Sequence, residues 1–138
     1  MSSHPANEPI LDYAPDSPER SALQDEMDRQ LATVVEVPCV VNGKEVFTGN
    51  TVEQVVPHNH SHVLAKVHLA SRAEIEAACA AAVTAQADWI TLGLEERAAI
   101  FERCADLLAG DWRYRVNAAT MLNQSKTVFQ AEVDAACE

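Results

Sequence analysis

The apolar and polar residues of the chain first follow a helical period. Apolar side chains recur every four residues on one face of residues 18–33, at Leu23, Met27 and Leu31. Ser17 followed by Pro18 is typical of a helix start, because serine caps free backbone N–H groups and proline suits the first helical position. The pattern therefore predicts a first helix over residues 18–33.

β-branched residues dominate residues 34–68 and favour strands. Asn42-Gly43 separates two such runs, and a type I′ turn needs positive φ at both central residues, which asparagine and glycine tolerate. A second pair of strands is predicted over residues 51–56 and 62–68, joined by a polar turn over residues 57–61. We therefore expect a small antiparallel β-hairpin unit over residues 34–68.

The helical period returns at Ser71 and continues to the end of the sequence, which predicts four further helices. Ser71 and Glu74 have the spacing of a capping box at the start of the first of them. The second is expected to end at Gly110, the third at Asn123 in a left-handed cap, and the last covers residues 125–138. The residues predicted to face a core are Ile75, Ala78, Cys79, Ala82 and Trp89, followed by Ala98, Phe101, Ala105 and Leu108.

Length and charge limit what the chain can be. Its 138 residues fit one domain, and 10 Lys+Arg against 21 Asp+Glu give a net charge of -11. Such a charge disfavours nucleic acid and anionic membranes as partners. Three prolines in residues 1–16 predict an extended N-terminal arm that docks on another surface, ahead of one domain over residues 17–138. No leader pattern precedes it, so we expect a cytoplasmic protein.

Candidate chemistry is sparse in the sequence. His58, His60 and His62 alternate, as zinc ligands on a strand can, but no nearby cysteine or carboxylate completes a four-ligand set, so a solvated turn is the favoured interpretation. The four cysteines lack Cys-x-x-Cys spacing and are expected to be free and buried. No glycine-rich phosphate loop and no G-x-S-x-G motif occurs. The residues alone therefore predict no catalytic, cofactor-binding or metal-binding site.

The run over residues 117–138 closely resembles a signature stretch of the 1-pyrroline-5-carboxylate dehydrogenases, which belong to the aldehyde dehydrogenase superfamily. Residues 13–20, 57–65 and 95–99 resemble the same family in the same order. One departure is Asn123, where the family usually has glycine. The resemblance implies an α/β aldehyde dehydrogenase-like fold, of which this chain is an N-terminal fragment, mostly α-helical with the small antiparallel β-hairpin unit.

The resemblance also implies a function. The family oxidises L-glutamate γ-semialdehyde to L-glutamate in proline degradation, with NAD as hydride acceptor, and a full-length member is expected to be a homo-oligomer. The segments that carry the family's nucleophilic cysteine, general base and NAD site do not resemble any part of this chain. We therefore expect this chain alone to bind no NAD and to be inactive.

Glu132 is the one residue for which the resemblance implies a place near the substrate. In the family the last helix lies close to the side where the aldehyde enters, and an acid there could meet the α-ammonium group of the substrate. A packing or helix-surface role is the alternative for this residue. For the chain as a whole, the alternative to a dehydrogenase fragment is a non-catalytic helical interaction module that binds a full-length subunit.

Overall fold

The computed structural model describes residues 8–137. Residues 8–16 form neither helix nor strand, and the helices and strands follow in an order that places five strands between the first and second helices. They are α1 (Pro18–Leu31), β1 (Val35–Val37), β2 (Cys39–Val41), β3 (Lys44–Val46), β4 (Thr51–Val56), β5 (Asn59–His68), α2 (Arg72–Trp89), α3 (Leu94–Ala109), α4 (Arg113–Gln124), α5 (Val128–Ala131) and a π-helix (Glu132–Ala136).

Helix α1 begins as the sequence predicts. The Ser17 hydroxyl accepts a hydrogen bond from the Arg20 N–H at 3.3 Å, and Pro18 occupies the first helical position. The helix ends at Leu31, two residues before the predicted end, and Leu23 is buried on the predicted face. Capping and one apolar face therefore suffice to account for this element.

The predicted hairpins are confirmed. Strands β2 and β3 pair in antiparallel fashion around Asn42 and Gly43, whose φ values of 52° and 70° are those of a type I′ turn. Strands β4 and β5 form the second antiparallel pair, although β5 begins at Asn59, so the polar turn is shorter than residues 57–61. The two pairs belong to separate sheets.

Strand β1 departs from the prediction of an entirely antiparallel unit. It pairs with β5 in parallel, with Val35 opposite Ala65, and gives a three-stranded sheet in the order β1, β5, β4. Pro38 separates β1 from β2, since proline has no N–H to continue a strand ladder. The β-branched run over residues 34–41 therefore contributes one strand to each of two sheets.

Helices α2 and α3 form where predicted, but their apolar faces are not buried. The capping box at Ser71 is present, with the Glu74 carboxylate accepting the Ser71 N–H at 2.8 Å. Ile75 is 55% exposed and Phe101 is 65% exposed, and no residue of either helix is buried. The prediction of two core-facing stripes is wrong because little in residues 8–137 packs against these helices.

Two details of these helices also differ from the sequence prediction. Gly110 caps α3 with a φ of -108°, so it does not use the left-handed conformation that favours glycine. All four cysteines are free, as expected, but Cys79 and Cys104 are exposed, and Cys39 and Cys137 are partly buried. The expectation of buried thiols is therefore wrong for Cys79 and Cys104 and only partly met for Cys39 and Cys137.

The cap after α4 lies two residues later than predicted. Asn123 is within the helix, and Ser125 takes the left-handed conformation with a φ of 53°. Thr127 then caps α5, its hydroxyl accepting the Gln130 N–H at 3.3 Å. The predicted single helix over residues 125–138 is instead a short α-helix that continues as the π-helix within the described residues.

The main buried cluster lies between residues 8–16, α1 and α4. Tyr13, Leu23 and Ala118 form its centre, and partly buried side chains of Met27 and Met121 pack against it. The fold therefore places its best-packed region where the N-terminal residues meet the C-terminal elements.

Within residues 8–137 no helix has both the length and the apolar character that crossing a membrane requires.

Candidate functional site

A buried carboxylate, that of Glu132, lies at the start of the π-helix and is completely enclosed. Its Oε1 accepts the Leu11 N–H at 2.8 Å. Its Oε2 accepts the Tyr13 hydroxyl at 2.6 Å and the Asn117 side-chain N–H at 2.7 Å. One side chain thus joins the N-terminal residues, α4 and the π-helix, over sequence separations of up to 121 residues.

Arg113 supplies the opposite charge. Its Nε donates to Glu132 Oε1 at 3.0 Å, and its Nη2 forms a short ion pair with the same oxygen. The Nη2 group also donates to the Pro9 carbonyl oxygen at 2.5 Å, and Nη1 reaches the Ala109 carbonyl at 3.4 Å. Since both charged side chains are buried, solvent and salt screen the attraction between them only weakly. Glu132, Arg113, Tyr13 and Asn117 are called the Glu132 cluster below.

The electrostatics of the Glu132 cluster favour fixed protonation states. Burial acts to raise the pKa of Glu132, but hydrogen bonds from Arg113, Tyr13, Leu11 and Asn117 outweigh it and lower the pKa below its usual range. Burial and the neighbouring carboxylate raise the pKa of Tyr13 well above its usual range. Glu132 is therefore ionised and Tyr13 is a protonated donor at neutral pH, an arrangement suited to holding segments together.

Sequence reasoning found only one member of this cluster. It singled out Glu132, but for a place beside the substrate, and it missed Arg113, Tyr13 and Asn117. Both Glu132 oxygens are occupied by donors from this chain, and the Asn117 Oδ1 atom is buried without a partner among the described residues. No local signal separates Arg113 from the neighbouring Arg115, or Glu132 from the neighbouring Asp134, so the pattern of the sequence alone could not have found the cluster.

The three alternating histidines do not form one group. His58 Nδ1 lies 2.9 Å from the Ser125 hydroxyl, whereas His62 Nε2 lies 3.0 Å from the Leu31 carbonyl oxygen. His60 is exposed on β5. Across residues 8–137 no set of three histidine, cysteine or acidic side chains is arranged to hold a metal ion.

A fourth histidine, His68, is more enclosed than these three and was not singled out in the sequence. It is 6% exposed at the end of β5, where its Nδ1 accepts the Gly49 N–H at 3.0 Å and its Nε2 lies 3.0 Å from Glu36 Oε1. Because the Gly49 amide can only donate, Nδ1 is unprotonated and Nε2–H donates to Glu36. This ring joins β1 to the connection between β3 and β4.

Comparisons with known proteins agree over most of the chain. Residues 46–137 match the pattern that describes the aldehyde dehydrogenase family. A delta-1-pyrroline-5-carboxylate dehydrogenase from Agaricus bisporus is 48% identical over 136 residues, which cover 96% of this chain and 24% of that protein. The mitochondrial enzyme of that name from Homo sapiens is 42% identical over 133 residues, with the same two coverages.

A solved structure shows the same fold. The Mycobacterium tuberculosis delta-pyrroline-5-carboxylate dehydrogenase, bound with NAD and cobalamin, superposes with a TM-score of 0.95 at 46% identity, covering 100% of this chain and 26% of that one. A Thermus thermophilus 1-pyrroline-5-carboxylate dehydrogenase matches with a TM-score of 0.89 at 27% identity. The chain thus spans about a quarter of the length of the proteins it matches.

Proposed function

The chain belongs to the aldehyde dehydrogenase family, and we propose that it forms the N-terminal part of an NAD-dependent dehydrogenase that oxidises L-glutamate γ-semialdehyde to L-glutamate in proline degradation. The observation that carries the proposal is the similarity to delta-1-pyrroline-5-carboxylate dehydrogenases over 96% of the chain. The superposition on the NAD-bound Mycobacterium tuberculosis enzyme supports it independently.

The exposed helices support the same proposal. Apolar residues such as Val83 (70% exposed), Leu94 (74% exposed) and Phe101 (65% exposed) cover α2 and α3 without a partner in residues 8–137. Exposed apolar surface of this extent marks an interface. The matched relatives are about four times as long as this chain, and we assign these faces to contact with the remaining part of such a polypeptide.

Within that polypeptide, we assign catalysis and structural support to different parts of the chain. We propose that the nucleophile, the general base and the NAD site lie in the part of the polypeptide that this chain does not match, and that residues 8–137 contribute framework. We propose a packing role for Glu132, because a contact with the substrate would require its carboxylate to leave the donors of Leu11, Tyr13 and Arg113. We also propose that the complete enzyme is a homo-oligomer.

The compartment of the enzyme is part of the proposal too. The sequence favours the cytoplasm, but the relatives from Bos taurus and Homo sapiens are named as mitochondrial. We propose the cytoplasm for this protein. Fractionation of its own cells, followed by immunoblotting against residues 34–68, distinguishes the two compartments.

A chimeric enzyme tests the proposed activity. Residues 8–137 replace the matching quarter of the Mycobacterium tuberculosis enzyme, and NADH formation is measured with glutamate semialdehyde as substrate. Retained activity at a rate near that of the parent is expected, because the two chains share the fold at 46% identity. A well-folded chimera with no activity would contradict the proposal, as would reduction of NAD by the purified 138-residue chain alone.

The size of the native protein separates the proposal from the alternative of a non-catalytic helical interaction module. An antibody against residues 34–68 captures the protein from its own cells, and mass spectrometry gives the intact mass. A species several times larger than 15.0 kDa is expected. A species of 15.0 kDa that copurifies with a full-length dehydrogenase subunit would instead favour the interaction module.

A further inference from the structure

Residues 8–16 lie across the helical body without any secondary structure of their own. Tyr13 is 4% exposed and Leu11 is partly buried, whereas Ile10 is 56% exposed. Among the described residues, no backbone-to-backbone hydrogen bond joins residues 8–13 to a helix or strand. This segment is therefore attached through side chains of the body, and we call it the strap.

The attachments of the strap converge on two side chains. Glu132 accepts hydrogen bonds from the Leu11 N–H and from the Tyr13 hydroxyl, and Arg113 donates to the Pro9 carbonyl. Asn117 adds a hydrogen bond to the Tyr13 hydroxyl at 3.0 Å. A further link, from Arg20 Nη1 to the Tyr13 carbonyl, is long at 3.5 Å. Losing Glu132 would thus remove two of the strap's attachments at once.

The backbone of the strap is strained in the attached position. Tyr13 has a φ of 51° and Asp16 has a φ of 65°, both in the left-handed region. Aspartate tolerates this region, but a bulky aromatic residue does so only when its surroundings impose it. The hydrogen bonds of the Tyr13 hydroxyl and the edge-to-face contact of its ring with Tyr114, at 6.5 Å between centroids, are what impose it here. Lifting the strap relieves this strain.

The strap covers apolar side chains that belong to three different helices. Beneath Tyr13 lie Leu23 and Met27 of α1, Met121 of α4 and Val128 of α5, around a cavity of about 160 Å³. These helices contact one another independently of the strap, since α1 packs along α4 and α4 packs against α5. The body can therefore stay folded when the strap leaves, with an apolar groove open in its place.

We propose that residues 8–16 are a strap that opens as a unit, without unfolding of α1 and α4, and that the Glu132 carboxylate is the latch that holds it closed. The groove between α1, α4 and α5 is occupied in the closed state by the strap's own Tyr13. Local opening of this kind is expected where a segment has few backbone hydrogen bonds and a strained conformation.

Hydrogen exchange on the native polypeptide that contains these residues tests the proposal. The amide of Leu11 reports the strap and that of Ala118 reports α4. Glu132→Gln is expected to accelerate exchange at Leu11 by about tenfold or more, and Tyr13→Phe by a smaller factor, with a clearly smaller acceleration at Ala118 than at Leu11 in both. The matched control, Glu26→Gln, removes a carboxylate that contacts Arg29 and Gln30 but not the strap, and leaves both amides unchanged.

Two results would overturn the proposal. Unchanged exchange at Leu11 in both variants would show that Glu132 is not the latch. Equal acceleration at Leu11 and Ala118 would show that the strap opens only with the helical body. If Glu132→Gln prevents folding, Tyr13→Phe still decides between these outcomes, because it removes one hydroxyl and keeps the ring that fills the groove.

Discussion

Removing the guanidinium of Arg113 should destabilise the fold strongly. Arg113→Met keeps the apolar length of the side chain but leaves the Glu132 carboxylate buried without its counter-charge. Breaking a buried ion pair by removing one partner costs about 3–5 kcal/mol. Because Leu11, Tyr13 and Asn117 still donate to the carboxylate, we expect the lower end, about 3 kcal/mol. That is a large part of the roughly 5–15 kcal/mol by which a domain is stable.

Urea unfolding of the purified chain measures this loss. Trp112 lies next to the substituted residue, and Trp89→Phe removes the only other tryptophan, so Trp112 fluorescence reports the cluster. With an m-value of about 1.5 kcal/mol/M, the midpoint should fall by roughly 2 M. The control, Arg72→Met, breaks an ion pair with Glu76 whose side chains are 91% and 64% exposed, and should leave the midpoint unchanged.

A second substitution checks the cause of the loss. In an Arg113→Met background, Glu132→Gln removes the unpaired charge and should restore part of the stability, whereas in the native background the same change destabilises. The two sites would then show a coupling of about 2 kcal/mol in a double-mutant cycle. A loss below about 0.5 kcal/mol for Arg113→Met, or additive effects of the two changes, would refute the reasoning.

Three further predictions concern pH and backbone conformation. Because folding lowers the pKa of Glu132 below its usual 4.5, the stability that this carboxylate contributes is present above pH 4.5 and is lost as the pH falls through the folded pKa. When urea midpoints are measured against pH, Glu132→Gln should make this decline less steep. Ser125→Gly should stabilise the fold by up to about 1 kcal/mol, because glycine adopts the left-handed φ without strain. Asn123→Gly, inside α4, should destabilise the fold by about 0.5 kcal/mol. A lower melting temperature for Ser125→Gly than for Asn123→Gly would contradict the observed cap. Gly43→Ala should cost about 1 kcal/mol because its φ is 70°, although no atom obstructs the added Cβ, and equal melting temperatures would argue against that turn.

The sequence predicts those features that depend on neighbouring residues. Ser17, Ser71 and Asn42-Gly43 act within four positions of themselves, so their caps and turn are found where expected. The left-handed residue after α4 was misplaced at Asn123 because propensity ranks asparagine above serine there, while the structure continues the helix to Gln124. Local preference is a weak guide when packing sets the helix end.

Features that depend on distant residues were missed for a physical reason. The parallel pairing of β1 with β5 and the partners of Glu132 join positions about 30 and 121 residues apart, and no local pattern records such a choice. The apolar faces of α2 and α3 were read correctly as apolar but wrongly as buried, since periodicity identifies a face and not what covers it. The candidate site could therefore be predicted only as one acid among many.

The distance in sequence between the strap and Glu132 has a consequence for biosynthesis. Leu11 is translated 121 residues before its hydrogen-bond acceptor. At a synthesis rate of about 5–20 residues per second, roughly 6–24 s pass between the synthesis of Leu11 and that of Glu132. During that interval its apolar side chains are available to chaperones and to the wrong partners. The strap therefore reaches its native contacts only after α1 to α4 have been synthesised.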